Sequence, residues 1–137
     1  MIGCVTIGER CYVGARAVLR GDWVDIAIGR GCNTQENCVV NVGPDQVTEM
    51  GPSCHVGHAV VIHGATLGRN AIAGMHAVIH DGVRIRAGCV MLWNNTVAGA
   101  SGKTLGDVSE EQRTACDWGL KSYQGLSSRG KESLRRL

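Results

Sequence analysis

The sequence predicts an all-β chain closed by one C-terminal helix, its strands wound into a parallel β-helix that turns a corner every six residues. Three observations carry this. Aliphatic side chains recur in steps of six: Ile7, Val13 and Leu19, then Ile28 and Val40 with Thr34 between them in register. A period of six fits neither the helical 3.6 nor the strand's two, and a repeat of this kind decides the architecture. A small side chain follows each aliphatic by four positions, among them Cys11, Ala17, Cys32, Cys38, Cys54, Ala71 and Cys89. Finally, the 137 residues include twenty glycines, two prolines and no phenylalanine. Such a composition suits a narrow core with tight corners.

In chain order, the first coils run through Ile7 to Val40, each aliphatic commonly followed by glycine (Gly8, Gly14, Gly29). The register breaks in "GPDQVTEM" and returns at Met50, Val56 and Ile62. A five-residue step leads to Leu67, after which Ala73, Ile79, Ile85, Met91 and Val97 resume the period. Residues 1–100 are therefore expected to form a β-helix of about five coils, with strands stacked about 4.8 Å apart. Residues 101–108 read as a loop, and 109–137 as a helix packing on the β-helix. "SEEQ" at 109–112 has the form of a capping box, with Ser109 as N-cap and Gln112 reaching back. Cys116, Leu120 and Tyr123 share one helical side, while Gly119, Gly125 and Gly130 weaken the helix and favour fraying of the basic end.

A net charge of +2 and the lack of any arginine–aromatic stretch give no case for nucleic acid. With neither a membrane-length apolar run nor a leader pattern, the expectation is a cytoplasmic protein outside the membrane. The seven cysteines include no CxxC pair, which excludes a zinc finger. Five of them occupy the small inward position and read as buried hydrophobes.

The histidines pose the functional question. In "GHAVVIHG" His58 and His63 stand five residues apart, so a flat strand points them to opposite faces and a helix separates them by more than a turn. His58 lies two places after its core aliphatic and His63 one place after the next, around a corner. They cannot form a simple chelate. Asn41 follows Val40 as His63 follows Ile62, and the 22 residues between them equal one coil plus a four-residue bulge. These two should stack on neighbouring coils.

With "RGD" at 20–22, "NTQENCVV" at 33–40, "HVGHAVVIHG" at 55–64, "GMHAVIHDGVRI" at 74–85 and "KSYQGL" at 121–126, the chain resembles the gamma-class carbonic anhydrase-like hexapeptide-repeat family. The likeness is strongest to its phenylacetate-pathway and carnitine-operon branch. The resemblance implies a left-handed coil and a homotrimer hydrating CO₂ to bicarbonate through metal-bound hydroxide. It places the metal, Zn²⁺ or another divalent ion, between subunits, with one histidine from one chain and two from its neighbour. Carried over by position, His58 and His63 are metal ligands, and Asn41 stands where the third histidine is expected. Gln35 and Asn33 line the pocket, Tyr123 lies near it, and Arg20 with Asp22 links subunits. Gln35 and Asn33 could equally satisfy corner backbone groups, and Tyr123 could be a core tyrosine.

The departures bear on activity. An amide at Asn41 suits Ca²⁺ or Mg²⁺ better than zinc, so metal is expected to be weakly bound or absent. Trp23 replaces the acid that follows RGD, and the chain begins about one coil later than its relatives. An acyl-CoA thioesterase using the same pocket and a non-catalytic trimeric binding module remain as alternatives. A hexapeptide acyltransferase ranks behind them, because no extended histidine loop interrupts the coils. His55 has no expected ligand role, His76 and His80 read as surface histidines, and Trp93 and Trp118 as packing residues.

Overall fold

A computed structural model describes residues 1–92, 94, 96–97 and 110–133, except for the side chains at 112–113, 116, 127–128 and 130–133. Its strands are β1 (Ile2–Ile7), β2 (Tyr12–Val13), β3 (Val18–Ile28), β4 (Asn33–Thr34), β5 (Val39–Asn41), β6 (Thr48–Met50) and β7 (His55–Val56). They continue as β8 (Val61–His63), β9 (Thr66–Leu67), β10 (Ile72–Ala73), β11 (Val78–Ile79), β12 (Arg84–Ile85), β13 (Val90–Met91) and β14 (Thr96–Val97). One helix, α1 (Glu110–Ser133), follows. Every pairing between strands is parallel.

The strands stack on three faces. The first holds the second half of β1 (residues 5–7), the second half of β3, β6, β9 and β12. The second holds β2, β4, β7, β10 and β13. The third holds the first half of β3, β5, β8, β11 and β14. The long β3 crosses a corner without a break and so joins two faces into one sheet. This is the hexapeptide β-helix that the six-residue period predicts.

The hexad aliphatics form the core ladders. On the third face Leu19, Val40, Ile62, Ile79 and Val97 lie in register, the first four fully buried. At the corners the chain needs a left-handed residue, as at Arg10 (φ 56), Asn37 (φ 62), Ala59 (φ 57) and His76 (φ 58), each just before a small inward side chain. The glycine that opens a corner answers a different need. A Cβ at Gly14 would lie 2.6 Å from the Glu36 backbone nitrogen, and one at Gly57 2.9 Å from that of Met75. Only glycine lets adjacent coils approach this closely.

The cysteines do more than fill space. The thiols of Cys11, Cys32 and Cys54 donate to the carbonyls of Gly29, Gly51 and Gly68, each at 3.1 Å, and Cys38 donates to Gly57 at 3.0 Å. Each thiol therefore satisfies a corner carbonyl on the next coil. Burial raises the Cys38 thiol to about 11, so it stays a protonated donor.

The helix lies across β2 and β4. Gln124 Nε2 donates to the Gly31 carbonyl at 2.8 Å, and Gly119 sits against the His55 ring. α1 continues through Gly119, Gly125 and Gly130 to Ser133, and a Cβ at Gly119 would lie 3.3 Å from His55 Cε1, so glycine there lets the helix approach the coils. Trp118 corrects an expectation. It is 73% exposed rather than packed, since the helix turns Gly119 and Tyr123 inward and leaves Trp118 beside Glu111, Thr114 and Ala115. Trp93, the 101–108 loop, the Ser109 cap and the side chains of Gln112 and Cys116 lie outside the described residues.

Candidate functional site

Two groups of side chains gather the candidates. The first stands at the end of the third face. Arg20, Asn41 and His63 are successive Cα partners there, so Asn41 and His63 do occupy the same position on adjacent coils. The insertion between Asn41 and Thr48 is tied down locally. Gln46 Oε1 accepts the Gly43 N–H at 3.1 Å, and Thr48 Oγ1 donates to the Asn41 carbonyl at 2.7 Å. The Asn41 side chain turns back on the chain: Oδ1 accepts the Val42 N–H at 2.8 Å. His63 Nδ1 pairs with the carboxylate of Asp81, 18 residues on. That contact, and then Gln46, hold Asp81 below the usual carboxylate range. Arg20 Nε donates to Asp22 Oδ2 at 3.0 Å within the same strand.

The second group lies at the corner between the second and third faces, under the helix. Tyr12, Asn33 and His55 are Cα partners on three successive coils. Glu36 is the centre of this group. One of its oxygens accepts the Tyr12 hydroxyl and the other lies 2.9 Å from His58 Nδ1. Tyr12 first, and His58 after it, keep Glu36 below the usual range, while the Glu36 contact raises the Tyr12 phenol to about 12. The helix contributes Tyr123, whose hydroxyl is 3.4 Å from His58 Nε2 and whose ring lies against Tyr12 (centroids 5.2 Å) and His55 (5.7 Å).

Beneath this lies an amide–imidazole cluster. Gln35 Nε2 is 2.8 Å from His55 Nε2 and 3.1 Å from Asn33 Oδ1, and Asn33 Nδ2 is 3.1 Å from His55 Nδ1. Asn33 is completely buried and Gln35 is 3% exposed; the Gln35 Nε2–Asn33 Oδ1 bond satisfies an atom of each, and a neutral His55 ring, with one N–H and one bare nitrogen, accepts from one of the two amides that face it. Burial, and then the nearby His58, lower His55 to about 4, which keeps the ring neutral.

Five residues of these groups escape motif reading: Tyr12, Glu36, Gln46, His55 as a polar partner, and Asp81. The coil period contains the signal for two of them. Asp81 follows His63 by 18 residues, one full coil, and Glu36 precedes His58 by 22, the separation that also relates Asn41 to His63. His76 and His80 are exposed, as their sequence context implies.

Chemically, the two histidines have separate carboxylate partners and do not meet within one chain. Among the described residues, no three His, Cys, Asp or Glu side chains gather into a possible metal site. No helix among them is long and apolar enough to cross a membrane.

Comparison with known proteins bears on the same residues. No family model matches the chain. The carnitine operon protein CaiE of Escherichia coli (strain K12) is 31% identical, the match covering 98% of this chain and 74% of that protein. CaiE of Citrobacter koseri is 32% identical with the same coverage. Among solved structures, a hexapeptide transferase family protein from Anaplasma phagocytophilum superposes with a TM-score of 0.65 at 32% identity, over 94% of this chain and 83% of that one. A Bacillus cereus protein described as a putative acetyltransferase gives 0.79 at 24% identity, over 97% and 85%, and shares the fold. The in-register hexads, the placement of Asn41 and His63 on one column and the similarity to CaiE over nearly the whole chain converge: the chain belongs to the hexapeptide-repeat, gamma-class carbonic anhydrase-like family, in the branch that contains the CaiE proteins.

Proposed function

We propose that the chain is a gamma-class carbonic anhydrase-like protein that assembles as a homotrimer, with a metal-type site between subunits that Asn41 weakens. The observation that carries this reading is the register of Asn41 on His63, with His58 around the corner on a separate set of partners. Completing a three-donor site from these residues requires His58 of a second copy.

The donor set fits zinc in two places out of three. Imidazole nitrogens of His58 and His63 suit zinc, whereas a carboxamide oxygen suits harder cations. Asn41 Oδ1 is in addition already engaged by the Val42 N–H. No catalytic step through a metal follows from such a set. The chain's own contribution is a buried, hydrogen-bonded wall of Asn33 and Gln35 beside the His58 corner, under the Tyr123 hydroxyl. A small polar substrate of the CO₂ or bicarbonate class is what this reading assigns to the space beside His58 and the Tyr123 hydroxyl, with Asn33 and Gln35 buried behind it.

Three assays on the purified protein test it: metal content, CO₂ hydration, and hydrolysis of acyl-CoA thioesters. The reading predicts less than one zinc per subunit and little CO₂ hydration. Thioester hydrolysis without hydration would transfer the pocket to a thioesterase. Absence of metal and of both activities would leave a trimeric binding or assembly module.

A further inference from the structure

Both candidate ligand histidines have the same arrangement: Nδ1 faces a carboxylate of its own chain. His58 Nδ1 lies 2.9 Å from Glu36 Oε2, and His63 Nδ1 contacts Asp81 Oδ1. The two pairs lie in different parts of the coil and share no residue. Glu36 is in turn fixed by Tyr12, and Asp81 by Gln46.

We infer that Glu36 and Asp81 are positioning residues that hold His58 and His63 in the Nδ1–H tautomer, so that each ring presents an unprotonated Nε2 outward. A carboxylate is acceptor-only, and a neutral imidazole carries one N–H, so a carboxylate at Nδ1 forces the proton there. Free imidazole side chains favour the proton on Nε2, so the expected state departs from what an unconstrained histidine adopts. The Tyr123 hydroxyl, 3.4 Å from His58 Nε2, can donate to that bare nitrogen. The arrangement also fixes each ring plane, as carboxylates behind ligand histidines do in metal sites generally. This use of the two nitrogens rests on the proposed metal site, but the tautomer assignment itself does not.

The test is long-range ¹⁵N–¹H correlation of histidine-labelled, metal-free protein at a pH high enough that both rings are neutral, with signals assigned through His58→Gln and His63→Gln. Wild type should show both rings protonated at Nδ1 with an unprotonated Nε2. Asp81→Ala should move His63 towards Nε2–H and leave His58 unchanged, and Glu36→Ala should do the reverse. The undisturbed ring in each variant reports that the fold survives. Asp81→Asn, which keeps an acceptor oxygen, should retain Nδ1–H on His63. Zinc titration of the same samples should show about a tenfold or greater loss of affinity in each alanine variant. Wild-type rings protonated at Nε2, or tautomers that ignore Asp81→Ala and Glu36→Ala, would overturn the inference. Nδ1–H rings in a protein that takes up no zinc would overturn the metal reading and leave the inference standing.

Discussion

Asn41→His puts the weakest point of the proposed site to a direct test, because the structure assigns the change two effects of opposite sign. The first is a loss. Asn41 Oδ1 accepts the Val42 N–H at 2.8 Å, and an imidazole does not reproduce that bond, so the metal-free variant should be destabilised by about 1 kcal/mol. The second is a gain. Position 41 is the Cα partner of His63, on a strand about 4.8 Å away, so the new ring stands beside the His63 ring on the same face. Replacing an amide by imidazole should tighten zinc at least about tenfold, equivalent to about 1.4 kcal/mol. At a zinc concentration of about 100 times the variant's Kd, linkage adds about 2.7 kcal/mol to the variant but about 1.4 kcal/mol to a wild type whose site is tenfold weaker. The variant should therefore melt below wild type in chelator, and zinc should close that gap or reverse it. Competition titration against a chromophoric chelator, with thermal melts in both conditions, measures each half. Equal and full zinc occupancy in wild type and variant would refute the reasoning, since Asn41 would then be either a competent ligand or irrelevant.

Other consequences are as direct. Gly14→Ala places a Cβ 2.6 Å from the Glu36 backbone nitrogen, and should cost about 2 kcal/mol or more in urea unfolding, because backbone cannot move aside; a cost below about 0.5 kcal/mol would mean the coils yield at that corner. His55 has a folded pKa of about 4, below its unfolded value, so its contribution is complete above pH of about 6.5 and is lost as pH falls towards 4, by up to about 3 kcal/mol. His55→Gln should flatten that part of the stability–pH curve, and an unchanged slope would show that another group titrates. Arg20→Ala breaks a pair exposed at 43% and 34%, worth less than about 1 kcal/mol within one chain. If the pair also links subunits, sedimentation equilibrium should detect a weakened trimer; a variant that stays trimeric with an unchanged Tm would remove that role.

The fold was legible because steps of six hold within four runs (7–19, 28–40, 50–62 and 67–97), and stacking those runs gives the ladders Leu19–Val40–Ile62–Ile79–Val97 and Ile7–Ile28–Met50–Leu67–Ile85. The Asn41–His63 register followed from the same arithmetic once a four-residue bulge was allowed. What escaped were contacts that depend on side-chain reach. Glu36 and Asp81 look like solvated charges in one dimension, and only the stacking of coils brings them to His58 and His63. Trp118 is exposed because Gly119 and Tyr123, roughly 100° and 140° around the helix from it, are the positions that face the coils. The thiol-to-carbonyl bonds of Cys32 and Cys38 were hidden behind their hydrophobic burial.

The central claim is that His58 and His63 serve one site from two different subunits. Subunit mixing tests it most directly, with Asn41→His as the background so that zinc is bound tightly enough to count. His58→Ala and His63→Ala in that background should each fail to retain zinc after dialysis. Unfolding the two together in equal amounts and refolding them should restore about a quarter of the sites, the fraction in which a subunit with intact His63 precedes one with intact His58 around a closed ring. Recovery near that fraction is the predicted result. Zinc that survives fully in either variant alone, or that never returns on mixing, would contradict an inter-subunit site.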